Sequence, residues 1–116
     1  VLGHINNVAM AGLFESARVR FNRAMALSGW HGHRWLVANI TLNYLAEGHF
    51  PGDVEISTGI SDIGTRSWHI LAAAFQDGDC VATCDAVLVM SGGGGATALP
   101  EDFRAGLERH KVTRPG

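Results

Sequence analysis

The sequence predicts an α+β domain in which a curved antiparallel sheet wraps one long helix. Three observations carry this: apolar residues at helical spacing near the front of the chain, a later switch to two-residue alternation, and a hairpin signal inside the alternating block. At 116 residues with 47% hydrophobic content, the chain fits one domain, residues 1–116, with a core that needs no metal or disulfide.

The helix is predicted from Asn7 to about Leu27, with Met10, Leu13, Phe14, Ala17, Phe21, Ala24 and Met25 recurring at three- and four-residue steps as a broad buried face. Asn6 or Asn7 can cap its first turn, and Ser28-Gly29 can close it. A first strand follows, with Leu36, Ala38, Ile40, Leu42 and Tyr44 on one face and Val37, Asn39, Thr41 and Asn43 on the other. Glu47 to Gly52 supplies turn residues before a second strand, in which Val54, Ile56, Thr58 and Ile60 alternate with polar or small residues. Arg66 to Phe75 reads as a third strand and Cys80 to Met90 as a fourth, joined through Gln76-Asp77-Gly78-Asp79. The four strands are expected to form a meander. Gly92 to Gly95 ends the sheet, and Pro100-Glu101-Asp102 opens a short final helix with acids at its positive end. Exposed sheet edges favour pairing across a homodimer or homotetramer.

Composition excludes several classes. Nine Lys plus Arg against eleven Asp plus Glu, with no basic block, argues against nucleic acid as a partner. The apolar runs Ile70 to Phe75 and Ala86 to Met90 fall far short of the roughly 20 residues a membrane span needs. A soluble protein is expected. Cys80 and Cys84, four apart on one strand, are expected to share a face about 13 Å apart at roughly 3.3 Å per residue, too far for a disulfide. Buried free thiols in a reducing cytoplasm are the expected reading. The chain has no Gly-x-Ser-x-Gly elbow, Gly92 to Gly95 lacks the Lys-Ser/Thr of a phosphate loop, and His31-Gly32-His33 lacks a third metal ligand at sensible spacing.

The segment Leu2-Gly3-His4-Ile5-Asn6-Asn7, followed by Leu13-Phe14-Glu15-Ser16-Ala17-Arg18, resembles the signature of the 4-hydroxybenzoyl-CoA thioesterase-like branch of the hot-dog superfamily, Asp-x-x-Gly-His-x-Asn-Asn and then Phe-Glu-x-Ala-Arg. Ile63-Gly64-Thr65-Arg66-Ser67 is similar to the Gly-x-(Lys/Arg)-Ser that opens a central strand in that family, and Leu99-Pro100-Glu101 to its closing helix. The resemblance covers nearly the whole chain. Two departures stand out: the family's acidic residue would sit immediately before Val1, as would an N-terminal strand, and Met10 stands where an aromatic is common. Gly48-His49-Phe50-Pro51-Gly52 resembles the Gly-His-Phe-Pro of hot-dog hydroxyacyl dehydratases, but its histidine follows a strand instead of preceding the central helix.

The resemblance implies a hot-dog fold and hydrolysis of an acyl- or aroyl-CoA, with CoA as part of the substrate and no other cofactor. Thioester hydrolysis needs a polarised carbonyl and a carboxylate acting as nucleophile or base. Amides at Asn7 and Val8, at the start of a helix, can supply the polarisation, helped by the helix dipole. Loss of one such donor typically raises a barrier by about 2.7–4 kcal/mol. His4 can orient the carboxylate or shuttle a proton, or serve as a structural hydrogen-bonder. Of Asn6 and Asn7, one can cap the helix while the other binds substrate or water. Glu15 is either a carboxylate facing the site or a solvated charge. Ser67 can bond to the catalytic carboxylate or fill a strand position, and Arg66 can meet a CoA phosphate or remain a surface charge. Gly3 and Val8 complete the expected substrate contacts. A hot-dog module that binds acyl thioesters without hydrolysing them, and a hot-dog dehydratase, are the alternatives.

Overall fold

The structure, a computed structural model, describes residues 7–24, 34–46, 53–92 and 95–112. The elements are α1 (Asn7–Ala24), β1 (Arg34–Tyr44), β2 (Glu55–Ile63), β3 (Ser67–Gln76), β4 (Asp79–Gly92), β5 (Gly95–Ala96) and α2 (Glu101–Glu108). The antiparallel sheet runs β1-β4-β3-β2, with β5 on β4.

The β2–β3–β4 part is the expected meander, and its tightest turn is the expected one. Asp77 (φ 54°) and Gly78 (φ 84°) both take positive φ, the two-residue geometry whose twist matches the flanking strands. The meander does not extend to β1, however, which pairs with β4 at the far side of the sheet instead of with β2. The outer edge of β2 is taken in part by the segment after α2: the Ile60 amide donates to His110 O at 2.8 Å, and the Val112 amide to Ile60 O at 2.8 Å. Gly59 makes this possible, because a Cβ there would lie 2.4 Å from Val112 Cγ1.

Two helices cover one face of the sheet, the inner face. On α1, Met10, Phe14 and Ala17 are buried and Phe21 is half-buried, at steps of four, three and four. Leu13, expected on the same stripe, is exposed, so the buried face is narrower than the spacing predicted. Met10 and Phe14 pack on Ala72, Ala74, Ala82 and Cys84, small side chains that let the helix lie close to the sheet. The other half of the core joins Ile60, Trp68, Ile70, Leu88 and Met90 to Phe103 and Leu107 of α2. Trp68 meets Phe103 edge-on at 5.0 Å and Trp35 at 6.4 Å.

Three β-bulges reset which residues share a face. In β1 the register slips at Ala38, so Trp35, Val37, Ile40, Leu42 and Tyr44 face inward, paired with Met90, Leu88, Ala86, Cys84 and Ala82. The expected set with Leu36 and Ala38 is corrected accordingly: Leu36 pairs with Val89 on the outer face. In β4 the slip falls at Val81. Cys80 pairs with Phe75, whereas Cys84 pairs with Ala72, on the opposite face. The two thiols therefore do not share a face as strict alternation predicted, and both are free. A third slip, at Ser61, falls beside the point where residues 110–112 pair with the edge of β2.

Candidate active site at the start of the long helix

α1 begins at Asn7 as expected, with no acidic side chain in its first turn. Val8 is 83% exposed and Met10, two residues on, only 3%. The start of the helix is thus fixed to the sheet by Met10 and Phe14 while its rim stays open. Amides of a first turn have no intrahelical partners and carry the positive end of the dipole, so the rim can receive a carbonyl oxygen that gains negative charge. Gly3, His4 and Asn6 lie outside the described residues.

Glu15 is exposed, and at 100° per residue it sits well round the helix from Met10 and Phe14. Arg66 and Ser67 open β3 through a tight turn in which the Gly64 amide donates to Ser67 O at 2.7 Å. A Cβ on Gly64 would come 2.9 Å from Ser67 Oγ, which accounts for glycine there. Arg66 is exposed, and its carbonyl accepts from the Met90 amide at 2.9 Å. The turn is tied to α2 by a bond from Arg104 to Gly64 O and to the segment before α2 by one from the Leu99 amide to Thr65 O. Ser67 pairs with Val89, on the outer face. The residues packed under the start of α1 include Ala74, seven positions along β3 from Ser67, or about 23 Å at roughly 3.3 Å per residue. One chain therefore does not bring Arg66 and Ser67 to the start of α1.

One pairing went unread in the sequence, and one thiol expected to be buried and free is so. His69 Nδ1 lies 3.2 Å from Asp85 Oδ1 on the outer face, a pairing visible only once the hairpin register is known. Cys84 faces α1; burial pushes its thiol pKa up, and the Arg18 charge offsets part of that. Among the described residues no group of three or more His, Cys, Asp or Glu is placed to hold a metal ion, and no helix is long and apolar enough to cross a membrane.

The family model of the thioesterase-like superfamily matches residues 1–107. This chain belongs to the thioesterase-like superfamily. A solved structure of a predicted thioesterase from Bacillus stearothermophilus is 27% identical with a TM-score of 0.82, over 98% of this chain and 87% of that one. A Thermus thermophilus thioesterase complexed with coenzyme A and zinc is 25% identical, TM-score 0.78, over 97% of this chain and 85% of that one. A hypothetical protein of Staphylococcus aureus in complex with CoA shares the fold at a TM-score of 0.83 with 16% identity, over 100% of this chain and 80% of that one. No curated protein matches the chain. The hot-dog fold expected from the motifs is the fold observed, and the superfamily assignment makes the function thioesterase-like.

Proposed function

We propose that this superfamily member hydrolyses an acyl-CoA thioester to a free acid and CoA, with the start of α1 polarising the thioester carbonyl. The observation that carries the reading is the helix start itself, acid-free in its first turn and open at Val8 while anchored by Met10. His4, Asn6 and Asn7 are assigned to the neighbourhood of the scissile bond, where a carboxylate attacks the thioester or activates water. Glu15 is the one further carboxylate the motif offers. No cofactor is required beyond the CoA of the substrate, and a reducing cytoplasm suits the two free thiols.

The working form is a homodimer paired through β1. That strand ends the sheet, and Val37, Ile40 and Tyr44 on its inner face are exposed. Antiparallel pairing of β1 with its copy reverses the partner, so the partner's Gly64 to Ser67 turn comes to the same end of the assembly as this chain's α1 start. Arg66 then suits a CoA phosphate contributed across the pair.

The test is turnover. In the full-length protein, a panel of acyl-CoAs is assayed with a thiol reagent, and the wild type is compared with Val8→Asp. An acid in the first turn stabilises the helix by about 0.3–1 kcal/mol but opposes the developing oxyanion, so melting temperature holds or rises while turnover drops. Equal turnover in both proteins, or none with any thioester, defeats the reading. The exposed position of Glu15 favours a second one, a non-catalytic acyl-thioester-binding module, which predicts binding without turnover in the same assay.

A further inference from the structure

The turn from Gly64 to Ser67 is held at each of its carbonyls. Gly64 O accepts from Arg104, Thr65 O from the Leu99 amide, Arg66 O from the Met90 amide and Ser67 O from the Gly64 amide. Only the bond from Arg104 uses a side chain, so it is the one a substitution can remove without touching the backbone. α2 has a firm seat from which to brace the turn. Its Phe103 and Leu107 are buried in the core, and Phe103 meets Trp68, the residue after Ser67, edge-on at 5.0 Å. The Arg104 amide donates to Pro100 O at 2.9 Å, so this arginine leaves the helix one turn after its start. The Arg66 side chain, by contrast, is exposed, with no ion pair among the described residues.

We propose that Arg104 is a positioning residue for CoA: by holding Gly64 O it fixes the turn, so that the Arg66 guanidinium stands ready for a CoA phosphate. The inference rests on the thioester reading above and on the assignment of Arg66 within it. A guanidinium binds phosphate through a planar fork of donors, so its gain depends on the direction in which the backbone presents it. A turn that must be ordered at the moment of binding subtracts that cost from the affinity. Without the Arg104 guanidinium, a part-buried carbonyl loses its donor and the turn loses its tie to α2. Arg104 acts through Arg66 and does not itself touch the ligand. Its effect must therefore disappear when either the phosphates or the Arg66 guanidinium is absent.

Binding to the full-length protein is measured by calorimetry with CoA and with pantetheine, the same thiol arm without nucleotide or phosphate. Hydrolysis is followed separately with an acyl-CoA. Arg66→Ala is expected to weaken CoA about tenfold or more, the loss of one charge-assisted contact. Arg104→Met, which keeps the stem and removes the donors, is expected to weaken CoA about fivefold, and to add nothing further when combined with Arg66→Ala. Arg104→Lys keeps one cationic donor and is expected to restore most of the affinity. Arg109→Met, at the C-cap of the same helix, removes the same charge beyond Arg104 and is expected to leave CoA affinity unchanged. Unchanged CoA affinity in Arg104→Met overturns the inference even if hydrolysis proceeds. So does an equal loss for pantetheine, which would be a general loss of structure, and so does a loss of the same size with or without Arg66. CoA affinity that follows the expected pattern with no hydrolysis removes the thioesterase reading and keeps the role of Arg104, and no CoA binding at all removes both.

Discussion

Cys84 is the side chain whose chemistry is most constrained by its surroundings. It is buried beneath α1, and burial pushes its thiol pKa up. In the unfolded chain the thiol ionises near its ordinary value of about 8.5, while in the folded protein it holds its proton to higher pH. The folded state therefore binds more protons than the unfolded state across that window, so stability is fully present below the ordinary thiol value and falls as pH rises through the raised one. Denaturant unfolding from neutral to alkaline pH should show this fall, and Cys84→Ala should flatten it. A thiol reagent should label Cys80 first, since it lies on the other face of the sheet and is only half-buried. Phe14, 1% exposed in the same cluster, should cost about 3–5 kcal/mol when changed to Ala, read as a shift in denaturant midpoint. The sequence showed Phe14 and Met10 as core residues through their spacing. It could not show Leu13 exposed, because the width of a buried stripe depends on what the helix lies against.

At the scale of elements, the bulges separate what the sequence revealed from what it concealed. Helix and strand identities, the Asp77-Gly78 turn and the closing helix followed from periodicity and turn chemistry, and the motif around Asn7 marked the start of α1. The extra residues at Ala38, Ser61 and Val81 reverse the alternation without any local signal, so the faces of Leu36 and Cys80 were misassigned. Strand order was hidden for a related reason: β1 could pair with either edge of the meander, and residues 110–112, distant in sequence, occupy part of one. Gly59 is the hinge of that arrangement. Gly59→Val should dislodge Val112 and lose about 1–3 kcal/mol, with amide exchange rising at Ile60 and Val112. Unchanged protection at those two amides would show that the crossing does not depend on the missing Cβ.

For the whole molecule, the sequence pointed to the helix start but not to the separation of its motifs. Arg66 and Ser67 belong by motif to the same chemistry as Asn7, yet they stand at the other end of β3, and only the tertiary arrangement reveals it. If two copies pair through β1, sedimentation should give about twice the 12.4 kDa chain mass, and Leu36→Lys with Ala38→Lys should return it to the single mass by placing charges on the pairing edge.

His110 to Val112 run parallel to β2 at its outer edge beside Ile60. Among the described residues, no strand lies beside the β1 margin of the sheet, while residues 110–112 cover part of the β2 margin. If two molecules meet along β1, the margins left facing outward are those where residues 110–112 already hold both backbone groups of Ile60, which hinders further strand-by-strand growth there.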